Sequence, residues 1–150
     1  MTKKNIFLVF CLLALGGISL YLNRDHFMGP PIQLSHRVMY NRRRGNQPTP
    51  NPMGETVRFL LDRPLRLTSI TVIPLDTVET NKNPVPVWHL VSDSSTPPTK
   101  EFSYGFRLEE MQPAVKGSMP QPLQPGVNYR IVVEAGRKKV QHDFSIPPQS

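Results

Sequence analysis

Apolar and polar residues alternate with a period of two over much of this chain, most clearly near its end. Tyr129, Ile131 and Val133 take one face, and Arg130, Val132 and Glu134 the other. That alternation predicts a half-buried antiparallel strand over residues 128–134. Pro125-Gly126, just upstream, is a turn dipeptide: Pro presets its own φ and Gly is free to take a positive one. Gly136-Arg137 turns the chain back into residues 138–146, where Val140, His142 and Phe144 alternate.

The same reading predicts strands further upstream. Residues 32–40 place Ile32, Leu34, His36 and Val38 on one face, and residues 55–61 place Val57, Phe59 and Leu61 inward. Residues 65–75 are rich in β-branched side chains. Residues 85–91 carry Pro86 near their start, which suits an edge strand or an entry position. Residues 101–108 alternate Phe102, Tyr104 and Phe106. Asp62-Arg63-Pro64 reads as a turn. Residues 76–84 and 92–100 read as polar loops, and 109–128 as a long connection punctuated by Pro and Gly. Residues 41–54 hold Pro48, Pro50 and Pro52 and read as a flexible polar loop. Seven strands with no helical pattern after residue 22 predict an all-β fold, an antiparallel two-sheet sandwich over residues 32–146. Residues 147–150 form a tail.

The first 22 residues break this pattern. Lys3 and Lys4 precede a run from Ile6 to Leu22 that carries no charge. Its length is at the short end of a membrane-spanning helix, and the lysines would stay on the cytoplasmic side. Two readings stand. In one the run is an uncleaved signal anchor seated in the lipid bilayer. In the other it is a cleaved signal peptide, with Ala14 and Gly16 as the small residues before the cut. The apolar run resumes with Ile18, Leu20 and Leu22, which favours the anchor. Either way residues 23–150 lie outside the cytoplasm, in the periplasm or at the cell surface, or secreted after cleavage. Residues 23–31 form a stalk stiffened by Pro30-Pro31.

Composition sharpens the picture at three points. Seventeen prolines argue against a helical bundle, because proline breaks interior helix. The single cysteine, Cys11, lies in the apolar run, so the outer domain forms no internal disulfide and depends on its core. An exported domain without disulfides points to a bacterial envelope. The net charge is +7, of which Lys3 and Lys4 supply two, leaving a modest +5 that permits attraction to anionic surfaces.

The spacing Leu123-x-Pro125-x-x-x-Tyr129 resembles the tyrosine corner of fibronectin type III and other immunoglobulin-like sandwiches. The resemblance implies that the Tyr129 hydroxyl bonds to backbone near residues 123–125 and that Leu123 tucks into the core end. It implies that residues 128–134 and 138–146 are the last two strands. Trp88, the single tryptophan, reads as a core plug. It falls on the fourth predicted strand, whereas fibronectin-type domains usually place it on the second, so the strand order stays open. The segment from Trp88 to Ser94, with Pro98-Thr99-Lys100 and Pro113 to Gly117, also resembles a family of short exported bacterial proteins that brings no activity with it.

Candidate chemistry is sparse. His89, Asp93, Ser94 and Ser95 are the residue types of a nucleophilic triad, but the serines lie in a polar loop without a nucleophile-elbow motif. Glu109 and Glu110 are adjacent, so on an extended chain they point to opposite sides. No enzyme and no cofactor are expected. His26, Met28, His36 and Met39 are imidazole and thioether donors that would suit copper, the metal alternative. His142, between Val140 and Phe144, reads as a partly buried structural histidine. Arg42, Arg43 and Arg44 form a possible contact for an anionic polymer. They lack the interleaved aromatics that nucleic-acid stacking needs, so no nucleic-acid partner is expected. Exposed aromatics at Tyr40, Tyr104 or Phe106 would favour a cell-wall or carbohydrate ligand. The expected function is a non-catalytic interaction or structural module of the bacterial cell envelope, acting on an envelope protein or anionic polymer through strand edges or loops.

Overall fold

The structure is a computed structural model and describes residues 2–23, 29–39, 56–93 and 96–148. The chain divides into two compact units, Met1–Pro31 and Ile32–Ser150.

The first unit contains helix α1 (Lys3–Leu22), 20 residues long. At a rise of about 1.5 Å per residue it is about 30 Å long, the thickness of a bilayer hydrocarbon core. It is apolar on all sides, and no residue of it is buried. The helix is therefore long and apolar enough to span a membrane or to serve as a signal sequence.

The second unit is mostly β. Its described residues form β1 (Leu34–Met39), β2 (Thr56–Leu65), β3 (Ser69–Pro74), β4 (Trp88–Val91), β5 (Thr99–Ser103), β6 (Gln112–Pro113), β7 (Asn128–Ala135) and β8 (Lys138–Ser145). All pairings are antiparallel. One sheet has the order β1-β2-β5 and the other β6-β4-β3-β7-β8. The alternation in the sequence decides which side chains face inward. Val57, Phe59 and Leu61 of β2, Ile70 and Val72 of β3, and Tyr129, Ile131 and Val133 of β7 are all buried. Aromatic rings join the two sheets: Phe59 of β2 meets Phe144 of β8 edge-on at 5.1 Å, and Trp88 of β4 lies 6.4 Å from Phe102 of β5.

Three sequence expectations are corrected. Asp62-Arg63-Pro64 is not a turn; β2 runs through it to Leu65, and its pairing with β5 shifts register between Leu60 and Leu65. Such an irregularity absorbs a proline that cannot donate to a ladder. Residues 76–80, expected as loop, and Leu75, expected as the end of a strand, form a short helix, α2 (Leu75–Thr80), in which the Thr77 hydroxyl donates to the Pro74 carbonyl at 2.7 Å. The strand expected over 101–108 instead ends at Ser103, so Phe106 escapes the core and is 59% exposed. The loop expected over 41–54 lies outside the described residues.

Two glycines set the turns around β7. Gln124 to Val127 close a turn with Pro125 at its second position and Gly126 at its third, with φ 79°. That is the proline–glycine chemistry of a type II turn. Between β7 and β8, Gly136 takes φ 63° while Arg137 does not share the positive φ. A glycine at the first central position of a two-residue hairpin is the type II′ signature.

Candidate functional site

Two places in the second unit gather chemistry that core packing does not consume. The first is the β4–β6 edge of the five-stranded sheet. Trp88 opens β4 and is buried, with its ring 5.1 Å from Tyr104 in an edge contact. Outside β4 the chain runs as an interrupted edge. Gln112 and Pro113 pair with β4, and the Ala114 N–H donates to the His89 carbonyl at 3.1 Å. The chain then arches away and returns where the Gln121 N–H donates to the Val87 carbonyl at 2.9 Å. Gly117 (φ 83°) and a Ser118 N–H bond to the Val115 carbonyl turn the arch. Tyr104 pins its return: its hydroxyl lies 2.6 Å from the Gln121 carbonyl and 3.3 Å from that of Val87.

The arch leaves a groove of ≈ 250 Å³ between Val85–Leu90 and the residues from Val115 to Gln121. A second groove of ≈ 500 Å³ opens toward Phe106 and Arg107. Trp88, Leu90, Pro113 and Pro120 line both. The large apolar side chains left exposed here are Val85 (75%), Phe106 (59%), Val115 (70%) and Met119 (83%). Outside the helix, and among the described residues, Met39 is the one other exposed large apolar side chain. Among the described residues of the second unit, apolar exposure is thus concentrated at one edge rather than scattered.

The second place is the seam where the terminal strands β1 and β8 of the two sheets meet. His36 faces inward opposite Phe59 on β2, and His142 faces inward opposite Ile131 on β7. Across the seam, Nδ1 of His36 lies 2.7 Å from Nε2 of His142, one ring donating and the other accepting. Burial, and secondarily the facing His142 ring, hold His36 below the ordinary histidine value. An open pocket of ≈ 210 Å³ adjoins His36, lined also by Leu75, Asn128, Asp143, Phe144 and Ser145. Asp143 is held there by Arg130 through two charge-assisted hydrogen bonds of 2.7 and 2.9 Å.

The residues singled out from the sequence separate under this geometry. Leu123, Tyr129 and Trp88 are buried. The Tyr129 hydroxyl accepts the Gln124 N–H at 2.9 Å. His36 and Met39 lie three residues apart on one strand and so point to opposite faces, and the structure does not bring them together. His26, Met28, Tyr40, Ser94, Ser95 and Arg42, Arg43 and Arg44 lie outside the described residues. Among the described residues no three His, Cys, Asp or Glu side chains gather where a metal could sit. Tyr104 is buried at 2% and cannot offer a sugar-stacking face. The sequence reading missed the His36–His142 contact. Its signal was two histidines, each at an inward position of a terminal strand, but spacing along the chain cannot say which terminal strands meet.

Compared with protein-family models, curated proteins and solved structures, the chain matches none.

Proposed function

We propose that the second unit is a fibronectin type III-like member of the immunoglobulin-like sandwiches, serving as a non-catalytic interaction module of the bacterial cell envelope. In this reading helix α1 holds it at the membrane with the β domain outside the cytoplasm, and it binds a partner protein through the Trp88 edge. Two features support the fold reading. The order β1-β2-β5 corresponds to strands A-B-E, and β4-β3-β7-β8 to C′-C-F-G, with β6 as an addition. The Tyr129–Gln124 bond has the partners of a tyrosine corner. The observation that carries the functional reading is the clustering of Val85, Phe106, Val115 and Met119 around two grooves that share Trp88.

Photo-crosslinking in intact cells tests it. A benzophenone side chain placed at Val115 or Met119 is expected to trap one discrete adduct. The same group at Gln141, exposed on β8 at the other end of that sheet, is expected to trap none. Equal labelling at all three positions, or none at any, would refute the edge as the binding surface.

A further inference from the structure

The histidine pair can be followed proton by proton. With both rings neutral, the ring that donates across the 2.7 Å contact carries its proton on the bridging nitrogen. The accepting ring carries its own on its remote nitrogen. A first added proton goes to the remote nitrogen of the donor ring. The bridge survives and becomes a charge-assisted hydrogen bond. A second added proton finds one vacant nitrogen, the bridging acceptor itself. Two N–H groups on two cations would then face each other at 2.7 Å, which is repulsive in both hydrogen-bonding and charge terms.

The surroundings offset that repulsion only in part. Phe59 faces the pair from β2, Ile131 from β7, Phe144 from β8 and Leu75 from α2, and none of them is charged. The nearby titratable groups are Tyr129, whose hydroxyl accepts from Gln124, and Asp143, whose carboxylate is held by Arg130 and also attracts a proton on His142, favouring the first added proton more than it relieves two facing cations. The inward neighbours of His36 on β1 are Leu34 and Val38. Among the described residues, both strands of the seam are edges: β1 pairs only with β2, and β8 only with β7.

From this geometry we propose that His36 and His142 form an acid-sensitive latch between the two sheets: with one shared proton the β1–β8 seam is closed, and uptake of the second added proton opens it. Opening frees the terminal strands and uncovers Leu34 and Phe144. This inference is independent of the partner-binding reading, since the Trp88 edge lies at the opposite end of the five-stranded sheet.

The test uses the full chain in detergent micelles, with histidine nitrogens followed by NMR and amide exchange followed residue by residue from pH 7.5 to 4.5. The two rings are expected to take up their two added protons in separate, coupled steps, the second at lower pH than the first. Protection of β1 and β8 amides, corrected for intrinsic exchange, is expected to fall at that second step by about tenfold or more, the factor that one pK unit of coupling supplies. Amides of β3 are expected to keep theirs. The double variant His36→Phe/His142→Leu is expected to show no such pH-dependent loss. Independent titration of the two rings, or β1 protection that does not change through the second step, would overturn the latch. The wild-type measurement decides this even if the double variant does not fold.

Discussion

The hydroxyl of Tyr129 reaches back five residues and accepts the backbone N–H of Gln124 at 2.9 Å. The tyrosine ring is buried and stacks on Phe144 at 5.7 Å. One side chain thus ties the turn at Pro125-Gly126 to the last hairpin. Tyr129→Phe keeps the ring and leaves the Gln124 N–H without its acceptor. It is expected to cost about 0.5–1.5 kcal/mol, the net worth of one such bond. Urea melts of the two proteins, at unchanged slope, read this directly. Identical midpoints would mean that the corner adds nothing to stability.

Phe59 is completely buried, with Phe102 at 5.4 Å and Phe144 at 5.1 Å. No disulfide supports the core around it. Phe59→Ala removes contacts with both sheets and is expected to cost about 3–5 kcal/mol, a large part of a small domain's stability. Thermal unfolding followed by circular dichroism would show the shift.

Tyr104 joins the arch to the core. Burial, and after it the charge that Tyr129 could carry, push its hydroxyl well above the ordinary tyrosine value of 10.0. In an alkaline absorbance titration, the Tyr104→Phe variant is expected to lack the latest-ionising step of the wild type. The same substitution leaves the Gln121 carbonyl without its close donor, at an expected cost of about 1–3 kcal/mol. The accompanying exchange change is expected to appear at Gln121, whose N–H bonds Val87.

Arg130 and Asp143 face solvent, and their pairing is read best by titration. The hydrogen bonds from Arg130 hold the Asp143 carboxyl below its ordinary 3.8, with the charges of Arg130 and His142 adding to the effect. Because the folded-state value is the lower one, the stabilisation is present above the unfolded aspartate value. It is lost as pH falls through the folded one. Arg130→Gln is expected to raise the Asp143 midpoint toward the ordinary value, measured by carboxyl NMR between pH 2 and 6.

Helix α1 offers a separate test. Leu13 lies near the middle of Lys3–Leu22. An arginine there would cost about 2.5–3.5 kcal/mol of membrane insertion. Leu13→Arg is expected to shift the chain from the carbonate-resistant membrane pellet toward the soluble fraction. An unchanged pellet fraction would count against the helix as the attachment.

The parts of this molecule that could be read from its sequence are those that depend on local period. Val57, Phe59 and Leu61 alternate in the sequence and alternate in burial, and the same holds for Tyr129, Ile131 and Val133. What resisted reading depends on distant partners. Asp62-Arg63-Pro64 has the composition of a turn, yet β2 continues through it, because the pairing with β5 tolerates a register shift there. Leu75–Thr80 has a polar, loop-like composition, and its one and a half turns are too short to show a 3.6-residue period. The candidate sites fared worst. Phe106 follows the alternation of Phe102 and Tyr104, but the strand ends before it and its ring joins the exposed edge. The meeting of His36 and His142 spans 106 positions of sequence, and no periodicity reports on that separation.

The order of the five-stranded sheet also has a practical consequence. β8 and β6 are its two outer strands, four strand-to-strand steps apart. At about 4.8 Å per step they are roughly 19 Å from each other. A small tag joined at the C-terminal end follows β8, the strand farthest in the sheet from the Trp88 grooves. A tag inserted in the turn at Gly117 would cover them, so the choice of fusion point decides which of the two surfaces an experiment can still observe.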